Sequence, residues 1–180
     1  MTLQESKRLR LLTLCMLYLA QGIPWGFVVF TLSTFLTEQG LSPEQTGKLV
    51  AISIVPWTFK WLWGPLIDGL GASSMGRRRP WILVAQAGMA GSILAMLSLE
   101  DLAASLGVLM TFVFVHNVFN SLQDVSVDAL AVDLLSEEER GVANGLMFGS
   151  KYLGGAVGGA GLANLVGPLG MDTALAVQVT

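Results

Sequence analysis

Five apolar stretches of membrane-crossing length follow one another along this chain, joined by short polar segments: Leu11 to Leu36, Thr46 to Leu66, Trp81 to Leu99, Leu102 to Leu135 and Val142 to Val166. About 20 residues at ~1.5 Å rise each cross the hydrocarbon of a bilayer. Every backbone N–H and C=O must there be satisfied within the chain, so stretches of this length read as helices. A sixth begins after Met171. With 53% hydrophobic and 13% charged residues in 180, the fold class is an all-α membrane protein. It is a transmembrane helix bundle of five full spans plus the start of a sixth, occupying residues 11–180 behind a basic segment at residues 1–10. The lipid bilayer is its first partner.

The charges set the orientation. Of the ten Lys and Arg residues, Lys7, Arg8, Arg10, Arg77, Arg78, Arg79 and Arg140 fall on one side of this topology and Lys48 alone near the other. Basic loops face the cytoplasm, which puts the amino terminus inside and Glu100-Asp101 outside, in the inner membrane if the source is bacterial. The net charge of -3 gives no reason to expect nucleic acid. The first apolar stretch is too long for a cleavable signal and reads as span 1. Cys15 is the single cysteine and reads as a packing thiol. One histidine, no metal-ligand cluster and no serine in a suitable glycine setting argue against an enzyme, a cofactor or a metal.

Span 1 is expected to break at Gly22-Ile23-Pro24, because proline removes a helix hydrogen bond. Gln21, Gly22 and Trp25 then either line a pathway or merely flank a kink. Ser42-Pro43 reads as a capped helix start for span 2. Trp63 and Trp81 read as interfacial anchors. In span 5, Gly141, Gly145 and Gly149, then Gly154-Gly155, Gly158-Gly159 and Gly161, read as a close-packing surface.

The polar side chains inside the spans are concentrated in span 4. Asn117, Asn120, Ser121, Asp124 and Asp128 recur at three- and four-residue spacing, forming one stripe on a helix that also carries His116 and Gln123. A carboxylate in the bilayer costs on the order of 3 kcal/mol, so each one implies a partner or a function. Asp124 and Asp128 lie ~6 Å apart along the axis, too close for both to ionise easily unless a lysine intervenes. The lysines inside the membrane are Lys60 in span 2 and Lys151 in span 5. Depth favours Lys60 as the mate of Asp124, since Lys60 lies ~12 Å from Asp68 and Asp124 ~13 Å from Asp133 at the cytoplasmic ends of their spans. These four charges either lock the helices together or handle protons and an anionic substrate, with Gln21, Asn120 and His116 along the same pathway.

Three motifs in order carry a family resemblance. Gly64 and Asp68 followed by Gly76-Arg77-Arg78-Arg79 resembles the loop between helices 2 and 3 of the major facilitator superfamily of transporters. The usual form has a basic residue directly after the aspartate; here Gly69 stands there and the loop is longer. The run Phe59-Lys60-Trp61-Leu62-Trp63-Gly64-Pro65-Leu66-Ile67-Asp68 resembles the muropeptide permease and acetyl-CoA transporter branch. So does Gln123-Asp124-Val125-Ser126-Val127-Asp128-Ala129-Leu130 with Asp133 and Glu138-Glu139-Arg140-Gly141.

The resemblance implies the amino-terminal half of a twelve-helix secondary transporter, completed by a missing half or a second copy. It implies a small solute of muropeptide or related sugar- or nucleotide-containing anionic type. It also implies a cytoplasmic latch in which Asp68 caps a helix of the other half while Arg77, Arg78 or Arg79 pairs with Asp133. The alternative for those arginines is a purely topological role. Antiporters of the superfamily carry Gly-Pro within helix 5, and here the first is Gly167-Pro168, so proton symport is the expected mode. The alternative at the level of the whole chain is a half-length, non-transporting scaffold protein.

Overall fold

The computed structural model describes residue 3 and residues 5–70 and 74–179. It is a bundle of helices with short joints. We number them α1 (Lys7–Glu38), α2 (Pro43–Gly69), α3 (Arg79–Leu97), α4 (Leu106–Leu134), α5 (137–169) and α6 (Met171–Ala176). The first four are long and apolar enough to cross a membrane. α5 is equally long but falls below them in hydropathy because eight of its residues from Gly141 to Gly161 are glycine. Glycine supplies backbone without apolar side chain, so the expected fifth span is present as a helix and lacks the apolar strength of the others.

The helix starts are those their sequences encode. Ser42 accepts the N–H of Gln45 while the Gln45 side chain takes the N–H of Ser42, and Pro43 occupies the first turn. Ser136 and Glu139 form the same reciprocal cap at the start of α5. α1 ends at Gly40, whose φ of 94° lets the Leu41 N–H turn back to the carbonyl of Leu36.

Three expectations are corrected. α1 does not break at Gly22-Ile23-Pro24: it runs helically through Pro24, and its irregularity lies further on, as a π-helical stretch at Phe27–Leu32. A matching π stretch, Val157–Gly161, faces it on α5. The Thr31 hydroxyl is shared between the carbonyls of Gly158 and Gly159, at 2.8 and 2.7 Å, and so ties the two π stretches together. The glycines of α5 divide into two sets. Gly154 and Gly158 press against α1, whereas a Cβ at Gly141, Gly145 or Gly149 would meet nothing within 4 Å on another element among the described residues. Trp63 turns inward, its indole N–H donating to Ser121 of α4 at 2.9 Å, while Trp81 packs beside it against a buried Ile67, Ala85 and Leu122.

Packing follows neighbours in space: α1 lies on α5, α3 on α4, and α2 on α4. The interior is layered. One apolar cluster, toward the α1–α2 joint, holds Phe27, Val28, Leu32, Ile93, Met96, Leu109 and Val113. A second, toward the α4–α5 joint, holds Leu14, Tyr18, Ile82, Val127, Ala131 and Met147. Polar side chains buried from solvent occupy the level between them.

Candidate functional site

α4 delivers the site because its three- and four-residue polar spacing keeps Asn117, Asn120, Ser121 and Asp124 on its buried side. Asp124 is only 4% exposed. One carboxylate oxygen lies 3.2 Å from Lys60 Nζ and the other 3.0 Å from Lys151 Nζ, so a single acid bridges cations from two other helices.

Each lysine is positioned by its own helix. α2 contains Pro56 and tightens into a 3₁₀ turn at Lys60–Leu62, where Lys60 leaves the helix with 48% of its side chain exposed. Lys151 lies deeper, at 22%. It sits 4.6 Å from the ring centre of Trp57 and 5.6 Å from that of Tyr18, cation–π distances that offset part of its lost hydration. Trp57 is fixed in turn by its indole N–H, which donates to Asn117 Oδ1 at 3.2 Å. Asp128, one turn from Asp124, accepts the hydroxyl of Tyr18.

The two acids therefore have different company. Asp124 holds both ammonium groups; Asp128 is half-buried against a phenol. A cavity of about 300 Å³ opens beside Lys151 between Trp25, Ser53, Trp57, Phe148 and Tyr152. It offers aromatic faces and one cation, an arrangement that suits a solute with a ring and a negative charge.

Gln21, Asn120 and His116 lie outside the ion cluster. All three are buried, at 0, 0 and 2% exposure. Among the described residues, neither amide group of Gln21 or Asn120 has a hydrogen-bond partner in the protein. Gly22 lines no open path, because it presses against the backbone carbonyl of Lys151.

At the end of the bundle that carries the α2–α3 joint, Arg78 joins two helices. Its Nη1 lies 2.5 Å from Asp68 and its Nε 3.1 Å from Asp133. Partial burial works against the guanidinium charge, but the hydrogen bonds to Asp68 and Asp133 outweigh it and hold Arg78 above its ordinary range. Arg77 reaches Asp68 only at 3.9 Å, and Arg79 begins α3, exposed. A second cluster was not anticipated: Glu139 takes Arg10 at 3.0 Å and Lys7 at 3.4 Å, tying the amino-terminal flank to the start of α5.

Tyr18 and Trp57 were also missed as site residues. Tyr18 precedes Gln21 by three residues and so shares its face, which is the one signal in the sequence that could have found it.

Comparison with known proteins gives a consistent result. The sequence profile described as BT1 family matches residues 21–176. An anhydromuropeptide permease of Escherichia coli K12 is 31% identical over 151 residues, covering 81% of this chain and 29% of the permease. A putative transporter AmpG 4 of Rickettsia felis is 28% identical over 158 residues, 86% of this chain and 38% of the relative. An uncharacterized protein of Haemophilus influenzae is 30% identical over 138 residues, 77% of this chain and 32% of the relative. The chain thus spans about a third of the length of the curated relatives it matches.

Proposed function

The chain belongs to the BT1 family, and from that premise we propose that it forms the amino-terminal bundle of a proton-coupled secondary transporter for a small organic anion. It is a membrane-embedded helical chain of the permease kind. The observation that carries the finer reading is the bridging of Lys60 and Lys151 by Asp124. An acid that neutralises two cations can release one to an anionic substrate or to water when it takes up a proton, and this links protonation to helix position. The aromatic cavity beside Lys151 and the similarity to an anhydromuropeptide permease favour a ring-bearing anion such as a muropeptide.

The remaining parts of the major facilitator arrangement belong to the same proposal: a second bundle, either another half or a second copy, rocking against this one around a site near mid-membrane. The open glycine face of α5 supports a place for it. The decisive test is uptake by the protein in proteoliposomes given a labelled anhydromuropeptide. An acid exterior should drive accumulation above the external concentration, and a protonophore should collapse it. Equilibration without accumulation would leave a permease with no proton coupling.

The orientation is tested by labelling in a Cys15→Ser background. A membrane-impermeant thiol reagent applied to intact cells should modify Asp101→Cys and spare Arg79→Cys. The reverse pattern would invert the topology.

The latch predicts a kinetic effect. Arg78 holds Asp68 and Asp133 together in this structure, so Asp133→Asn should shift the balance of inward- and outward-facing states and slow transport without lowering expression. Exposed pairs contribute only ~0–1 kcal/mol, enough to bias populations several-fold. Unchanged transport and unchanged spin-label distances across the cytoplasmic face would reduce the cluster to a topological signal.

A further inference from the structure

The polar level between the two apolar clusters holds more hydrogen-bonding groups than the protein itself satisfies. Gln21 Nε2 and Oε1, Asn120 Nδ2 and Oδ1, Gln123 Oε1 and His116 Nε2 are all buried and, among the described residues, without a protein partner. Burying such a group unpaired forfeits the hydrogen bonds it makes in water and is costly. Six in one region would be an unusual burden, unless they share a ligand.

They do share a region. Gln123 Nε2 donates to the carbonyl of Leu17 at 3.4 Å, which fixes the register between α1 and α4. Successive spans run antiparallel, so Gln21, one turn beyond Leu17, lies level with Asn120, about one turn before Gln123. At ~100° per residue His116, Asn120 and Gln123 fall within a sector of ~60° on α4. His116 is held from α3, where its Nδ1 lies 3.0 Å from Ser92 Oγ. Since that hydroxyl donates to the Met89 carbonyl at 2.6 Å, the ring N–H belongs on Nδ1, and Nε2 is an acceptor in the neutral imidazole. Phe27, Val28, Ile93, Met96 and Val113 close the region toward the α1–α2 joint. Leu14, Ile82, Val127 and Ala131 close it toward the α4–α5 joint.

From this we infer that the seam of α1, α3 and α4 is a binding site for internal water, which joins Gln21, Asn120, Gln123 and the Nε2 face of His116 in one hydrogen-bonded file. The ligand must both donate and accept. A monovalent cation would serve the three amide oxygens and leave the NH₂ groups of Gln21 and Asn120 unpaired. Water serves both kinds. At about three hydrogen bonds each, two or three water molecules meet the demand. Gln123 adjoins Asp124, so the file begins beside the ion cluster. As a route for protons it rests on the transport reading above; as bound water it does not.

The test is X-ray hydroxyl-radical footprinting of the purified chain in nanodiscs, because radicals form from the bound water itself. His116, though buried, should be modified faster than Met147, which is equally buried in an apolar setting, once each rate is corrected for intrinsic reactivity. Asn120→Leu should remove most of the His116 labelling, and Asn120→Ser, which keeps a hydroxyl for water, should retain it. Labelling of His116 no faster than that of Met147 would overturn the site. A saturable rise in thermal midpoint with sodium, absent with choline, would overturn water in favour of a cation. Loss of proton-driven uptake with the labelling intact would remove the transport reading and leave the water site standing.

Discussion

Asp124→Asn should abolish accumulation of substrate driven by a proton gradient while leaving exchange at equal pH measurable. Asparagine keeps the shape of the side chain and removes its charge and its proton. In the native cluster that charge faces Lys60 at 3.2 Å and Lys151 at 3.0 Å. Without it two ammonium groups converge on a neutral amide, and removing one member of a buried ionic set costs on the order of 3–5 kcal/mol. The burden falls unequally. Lys60 is half-exposed at the bundle surface and has room to turn away from the amide, whereas Lys151 is more deeply buried, against Trp57 and Tyr18. Adding Lys151→Met should therefore restore more of the lost thermal stability than adding Lys60→Met, and neither should restore coupling. Uphill uptake by Asp124→Asn equal to that of the native protein, at acid and at neutral external pH, would make this acid a structural tie only.

What could be read in the sequence follows from what spacing encodes. Hydropathy placed α1 to α4 to within a few residues, and Ser42-Pro43 marked its helix start, because both are local properties. The three- and four-residue polar spacing of α4 identified its buried side for the same reason. Depth along the helices matched Lys60 to Asp124. It could not reveal that Lys151 reaches the same carboxylate, which depends on how α5 is rotated about its axis by contact with α1. Tyr18, the π stretches and the Arg10–Glu139 tie are likewise products of packing between segments distant in sequence.

The glycines of α5 show that limit most clearly, and they carry the other large expected effect. Gly141, Gly145 and Gly149 have the same four-residue spacing as Gly154 and Gly158, but only the second set meets α1. A Cβ on Gly158 would lie 1.9 Å from the carbonyl oxygen of Ile23, and one on Gly154 2.2 Å from that of Leu19. From the other side, a Cβ on Gly26 would lie 2.0 Å from the Gly155 oxygen, and one on Gly22 2.0 Å from that of Lys151. Each is roughly 1.5 Å short of ordinary contact, and the obstacle is backbone, which cannot turn aside as a side chain can. Gly158→Val should therefore force the helices apart and cost more than the ~1–3 kcal/mol of ordinary overpacking, leaving little monodisperse protein after detergent extraction. Gly145→Val, whose Cβ meets nothing among the described residues of this bundle, should leave the α1–α5 contact intact and extract far better than Gly158→Val. Gly22→Ala is the informative intermediate. Its added methyl pushes on the carbonyl of Lys151 itself, so it should disturb the bridge to Asp124 and lower proton-driven uptake further than its loss of thermal stability explains. Normal extraction of Gly158→Val would show that α1 and α5 do not lie backbone to backbone, and the position of Lys151 beside Asp124 would lose its structural basis.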